Sequence, residues 1–150
     1  MSQHEELQKT PDKQNATHTQ DQAQQAPQKE TLEHLSQSEI EARALTRLAD
    51  RLQHVIDDWN GKARTDLVST LRDNRMVWGA FYDQVMAERS GEKPAHIPPH
   101  LSSNVIKLAN FVFKRTIQAE GEPASDKISV LVTINREIAA GLLGASRAAR

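Results

Sequence analysis

The chain has 150 residues, 37% of them apolar and 26% charged, with a formal net charge of −1 and no cysteine. That length suits one modest domain plus a tail, and the lack of cysteine excludes a disulfide framework, a thiol nucleophile and a cysteine zinc site. Near-balanced charge argues against bulk nucleic acid or an anionic membrane surface as partner. With no apolar signal region and no run approaching a membrane span, the expectation is a soluble, cytoplasmic protein.

From Met1 to about Leu35 the sequence is dominated by Gln, with Thr, Asn, Pro, Lys and Asp. Apolar residues are too sparse there to offset chain entropy, so residues 1–35 read as a disordered tail. His4, His18 and His34 stand in it at no metal-ligand spacing and read as solvated. The folded region expected is 36–145, followed by a loose C-terminus at 146–150.

Ser36-Gln37-Ser38-Glu39 fits a capping box, in which the Ser hydroxyl accepts from an orphan amide of the first turn and the Glu reaches back. Leu45, Leu48, Leu52, Val55, Ile56 and Trp59 then form one stripe, and Asn60-Gly61 is expected to end the helix with Gly in the left-handed region. Beside the stripe, Arg43, Arg47 and Arg51 recur every fourth residue and His54 continues the row. Such a row is either a small phosphate or RNA contact or a solvated face. The interspersed Asp50, Asp57 and Asp58, and a Glu39–Arg43 pair at i, i+4, favour the solvated face.

A second helix is expected from about Asp66 to Glu88, its stripe being Leu67, Leu71, Asn74, Trp78, Phe81 and Val85, with Tyr82 at the flank. Gly79 in mid-helix costs about 1 kcal/mol against Ala, which suggests close approach of a neighbour. Ser90 to Pro94 is a turn cluster. In His96-Ile97-Pro98-Pro99-His100 the prolines forbid the continuous helix that would put the two histidines on one face, and no third ligand lies nearby, so no metal is expected. Pro98 or Pro99 reads as the first residue of the next helix.

The third helix, about Pro99 to Ala119, carries two apolar faces. Leu101, Val105, Leu108 and Val112 make one; Ile106, Phe113 and Ile117 make the other, roughly 120° away on the wheel. Either the helix is packed on both sides or the second face is kept for a partner. Gly121-Glu122-Pro123 closes it, and Ser125 or Asp126 caps the last helix, Asp126 to Leu143. There Ile128, Leu131, Ile138 and Leu142 share one arc with Asn135 at its centre, while Gly141 and Gly144 mark a fraying end.

Four amphipathic helices with short loops and no strand point to an all-α fold, an antiparallel bundle of about four helices. An unpaired buried amide costs on the order of 1–3 kcal/mol, so Asn74 and Asn135 are expected to meet across the core. Buried polar pairs of this kind fix register.

Four segments carry a resemblance. They are Ser38-Glu39-Ile40-Glu41-Ala42-Arg43-Ala44-Leu45, Leu71-Arg72-Asp73-Asn74-Arg75-Met76-Val77-Trp78, Ile97-Pro98-Pro99-His100-Leu101, and Leu131 to Leu142 with Ile134-Asn135-Arg136 and Gly141-Leu142 inside it. In this order they resemble the flagellar biosynthesis regulator FlaF family of alphaproteobacteria, over about Ser38 to Leu143. The long polar tail and Pro98-Pro99-His100, in place of the commoner Leu-Pro, depart from the family pattern. The resemblance implies a non-enzymatic cytoplasmic factor for flagellin production and secretion. Its implied partners are flagellin and the translational regulator FlbT, and its most concrete mechanism is chaperoning of unassembled flagellin. It implies no cofactor. A partner surface on Ile106, Phe113 and Ile117 rests on the wheel alone, and Asn74, Trp78 and Asn135 fall on the family signatures in an architectural role.

Three other classes make different demands on the residues. An enzyme would need a nucleophile–base pair or paired carboxylates in a pocket, and neither pattern occurs. Post-transcriptional regulation would act through FlbT or on flagellin mRNA; the direct RNA form would use Arg43, Arg47, Arg51 and Lys114-Arg115, against which near-neutral charge and the lack of interleaved aromatics weigh. A self-associating bundle would use the second face of the third helix as a seam; the pattern leaves monomer and dimer both open.

Overall fold

The computed structural model describes residues 35–148. The Gln-rich tail with its three histidines, and the last two residues, lie outside the described residues. Four helices follow one another: α1 (Gln37–Asp57), α2 (Leu67–Arg89), α3 (Pro99–Gly121) and α4 (Ser125–Ala148), with a single 3-10 turn, Lys62–Asp66, before α2. No strand occurs among the described residues. Each helix packs against two others, α1 on α4 most extensively, then α2 on α3, α3 on α4 and α1 on α2. The pairs α1/α3 and α2/α4 are therefore the diagonals of an antiparallel four-helix bundle.

The local signals explain the helix starts. Ser36 Oγ accepts from the Glu39 amide at 3.1 Å, satisfying one orphan donor of α1. Pro99 occupies the first turn of α3, where its missing N–H costs nothing. Since α1 and α4 run antiparallel, the start of one meets the end of the other: Ser146 Oγ lies 3.1 Å from Ser36 Oγ and donates to Glu39 Oε1 at 3.1 Å.

The stripes read from the sequence face inward. Leu45, Leu52 and Val55 of α1, Leu71, Trp78 and Val85 of α2, Val105 and Val112 of α3, and Ile128, Leu131 and Leu142 of α4 are fully buried. At about 25 cal/mol per Å² of apolar surface removed from water, this shared core is the main source of stability. Leu108 is half-buried rather than core.

Several local expectations are corrected. Gly61 is extended (φ −113°, ψ −161°) and not left-handed. It is needed for a different reason, because a Cβ there would fall 1.9 Å from Asp58 Oδ1, and that carboxylate accepts from the Ala63 amide at 2.9 Å to start the 3-10 turn. The left-handed glycine is Gly91 (φ 84°), just after α2, where the Glu92 amide donates back to the Ala87 carbonyl at 2.9 Å. No neighbour approaches Gly79, since a Cβ there would meet nothing within 4 Å. Gly141 does not mark a fraying end: α4 continues to Ala148, and a Cβ at Gly141 would lie 3.1 Å from Leu101 Cδ1 of α3. The helix Ser125–Ala148 is also long and apolar enough by composition to cross a membrane, a feature that counting consecutive apolar residues misses. Its apolar face is covered by the other helices.

Candidate functional site

At the centre of the bundle lies a small polar cluster. Trp78 Nε1 donates to Asn135 Oδ1 at 2.8 Å, and Asn135 Nδ2 donates to Asn74 Oδ1 at 2.7 Å and to the Leu45 carbonyl at 3.4 Å. All three side chains are fully buried. The asparagines thus meet across the core, and the cluster joins α1, α2 and α4, crossing the α2/α4 diagonal where backbones stay apart. Trp78 also packs edge-on against Phe81, with ring centroids 6.0 Å apart. Asn74 Nδ2 has no hydrogen-bond partner. The cluster holds no nucleophile or general base; buried polar groups paired in this way are suited to fixing helix register.

The second face of α3 is divided between two uses. Ile106 and Phe113 are half-buried against the core, and the Phe113 ring stands edge-on to Tyr82 of α2 at 6.5 Å. Ile117, one helical step further along that face, is 59% exposed. Phe111, at the outer edge of α3, is 37% exposed and lies under the Arg115 guanidinium at 5.1 Å. The face therefore seals the α2–α3 seam at one end and opens to solvent at the other.

A second apolar surface was missed by the stripe analysis. Between the first half of α1 and the second half of α2 runs a groove of about 370 Å³, its apolar lining made by Ile40, Ala44, Leu45, Val77, Ala80 and Phe81. Gln37, Glu41, Gln84 and Lys93 form its rim. Ile40 is 46% exposed and lies off the α1 stripe, which is the trace in the sequence that reveals the groove.

The family model for the flagellar protein FlaF matches residues 20–142. The chain belongs to the FlaF family. No curated protein and no solved structure matches it. The FlaF match begins upstream of α1, inside the Gln-rich stretch, and ends at Leu142 in α4. Two of the FlaF-like segments, Leu71–Trp78 and Leu131–Leu142, are the ones that deliver Asn74, Trp78 and Asn135 to the polar centre. A third, Ile97 to Leu101, places Ile97 and Leu101 in the core and Pro99 at the start of α3.

The arginine row on α1 of this FlaF domain is only partly engaged. Arg51 Nη1 pairs with Asp73 at 2.9 Å and its Nη2 donates to Thr70 at 3.3 Å, which takes it out of the arginine row. Arg43 and Arg47 stay exposed beside an open pocket shared with Glu39, Thr46, Asp50 and Leu143. His100 is exposed, whereas its neighbour His96 lies between Glu41 and Glu88, a cluster not foreseen from the sequence. Burial works to raise the Glu88 carboxyl. Hydrogen bonds from the Gln84 side chain and the His96 and Ile97 amides, together with the His96 charge, outweigh it and hold Glu88 below its ordinary value. No grouping of three His, Asp or Glu side chains suited to a metal ion exists among the described residues.

Proposed function

We propose that this flagellar protein is a cytoplasmic, non-enzymatic chaperone that covers an amphipathic helix of unassembled flagellin. The observation that carries the reading is the outer face of α3, where Ile117 is 59% exposed in line with half-buried Ile106 and Phe113. An apolar helix face of this kind suits helix-in-groove recognition, with anchors at i, i+3, i+4 and i+7. Membership of the FlaF family supports the flagellar setting.

Calorimetric titration of the full chain against monomeric flagellin tests it. Binding with a negative heat-capacity change is expected, weakened about tenfold or more by Ile117→Asp, since a charge would enter an apolar contact. Phe113→Asp is the stronger probe but needs a melting curve beside it, because Phe113 also packs on Tyr82. Absence of binding to flagellin refutes the proposal, and binding insensitive to both changes moves the surface elsewhere, with the α1–α2 groove next in line. Regulation through FlbT or flagellin mRNA has Arg43 and Arg47 in its favour, exposed and without an ion pair among the described residues. A phosphate contact there would weaken steeply with salt, and an apolar one would not.

A further inference from the structure

Where α1 begins and α2 ends, three ionisable side chains from three parts of the chain meet. His96, in the loop between α2 and α3, has Nε2 at 2.8 Å from Glu41 Oε1 of α1 and Nδ1 at 2.5 Å from Glu88 Oε2 of α2. The side chains of Glu41 and Glu88 are only 12% and 5% exposed, so water screens the contacts weakly. Glu88 Oε1 also accepts the His96 amide at 2.9 Å and the Ile97 amide at 3.1 Å, so the same carboxylate holds the loop backbone.

A neutral imidazole carries one N–H and one bare lone pair. Here each ring nitrogen faces a carboxylate oxygen at contact distance, and a lone pair in either position would be repelled. Only the imidazolium, protonated at both nitrogens, satisfies both sides.

We propose that His96 is a protonation-dependent latch that ties the α2–α3 loop to α1 through Glu41 and Glu88. Charged, the ring closes the latch. As pH rises and the ring gives up a proton, one of the two contacts turns repulsive and the loop loosens. The groups facing the latch are Glu41 from α1, Glu88 from α2 and, from the loop, Lys93. Lys93 Nζ donates to Gln84 Oε1 at 3.1 Å, and Gln84 Nε2 in turn donates to Glu88 Oε2 at 2.8 Å. Arg89 is turned toward Ser102 and Ser103 of α3, and among the described residues no other ion pair involves His96, Glu41 or Glu88. The low-pH side is protected, because Glu88 stays ionised below the usual glutamate range. Glu41, Gln84 and Lys93 also form part of the groove rim, so opening the latch reshapes the mouth of that groove.

The test uses the full chain labelled with ¹⁵N in its histidine rings, titrated from about pH 5 to about pH 9 across the ordinary histidine range. Both His96 nitrogens should carry protons at the acid end. Exchange protection of the His96 and Ile97 amides, corrected for intrinsic rate, should fall about tenfold as the ring titrates, the size of one charge-assisted hydrogen bond. His96→Gln should remove that pH dependence. Glu41→Gln, which keeps the Glu88 side intact but replaces the carboxylate facing Nε2, should weaken the pH dependence of amide protection and serves if the first variant folds poorly. A single neutral tautomer at the acid end, or an amide-protection profile unchanged in either variant, overturns the latch.

Discussion

Replacing Asn135 by leucine exchanges a buried amide for an apolar side chain of similar size at the one point where α1, α2 and α4 share hydrogen bonds. Two groups lose their partners outright: Trp78 Nε1, now 2.8 Å from Asn135 Oδ1, and Asn74 Oδ1, now 2.7 Å from Asn135 Nδ2. Leaving each buried and unpaired costs about 1–3 kcal/mol. The Leu45 carbonyl, at 3.4 Å, loses little. Burying a leucine returns about 1.5–3 kcal/mol, so the net loss centres on about 2 kcal/mol. For a domain of this size that lowers Tm by about 8 °C, read by far-UV circular dichroism with a matching urea titration. Asn74→Leu should cost less, because Asn74 Nδ2 already lacks a partner and Asn135 keeps Trp78. The decisive variant combines Asn74→Leu, Trp78→Phe and Asn135→Leu, which removes every polar partner at once. It should come within about 1 kcal/mol of the parent and above Asn135→Leu alone, since an apolar replacement of a whole buried cluster is close to neutral. An Asn135→Leu protein as stable as the parent, or a triple variant whose loss equals the sum of the singles, would refute this account of the core.

Gly79→Ala should raise stability by about 0.5–1 kcal/mol, seen as a higher urea midpoint, because the added Cβ meets nothing and the helix gains a better former. Gly141→Ala should fall short of that gain or reverse it, since its Cβ would crowd Leu101 Cδ1 at 3.1 Å. Glu88→Gln should destabilise by about 1–3 kcal/mol near neutrality, where four donors lose an ionised acceptor. A carboxyl whose folded value lies below the ordinary 4.5 contributes fully above that value and loses its contribution as pH falls through the folded one. The gap between parent and Glu88→Gln should therefore be full-sized just above about pH 5, where the latch is closed, and close on further acidification, in urea midpoints taken at stepped pH. Arg51→Ala should cost no more than about 1 kcal/mol, because its partner Asp73 and the guanidinium are both well exposed.

The helices were legible because their period is intrinsic to the chain: apolar residues at 3.6 spacing declare the buried face whatever packs on it. Asn74 and Asn135 were legible for the same reason, as amides standing where the period calls for leucine. Glycine was read less well. Local sequence says that Asn60-Gly61 and Gly141 are special but not why; the reason is a nearby side chain, the local Asp58 in the first case and in the second Leu101, brought close by the fold. His96 was illegible on different grounds. Its partners stand 55 positions before it and 8 positions before it, so no spacing rule connects the three. The groove is not marked by either stripe because its lining comes from α1, α2 and the loop after α2 together.

The polar centre and the open surfaces make different demands on the same two helices. On α2, Asn74, Trp78 and Phe81 turn inward, while Val77 and Ala80 look into the groove with α1 and Tyr82 looks to the α3 seam. Hydrophobic contact is non-directional, so an apolar core resists a slide of α2 by one turn only through the fit of its side chains. Such a slide would carry Val77 and Ala80 away from Ile40 and Ala44, and Tyr82 away from Phe113. Hydrogen bonds from Trp78 to Asn135 and from Asn135 to Asn74 forbid it, since a shift of one turn, about 5.4 Å, breaks both. Placing amides at the centre of the bundle therefore fixes the shape of its outside. On this argument the two FlaF-like signature segments preserve a groove to which they themselves contribute only Val77.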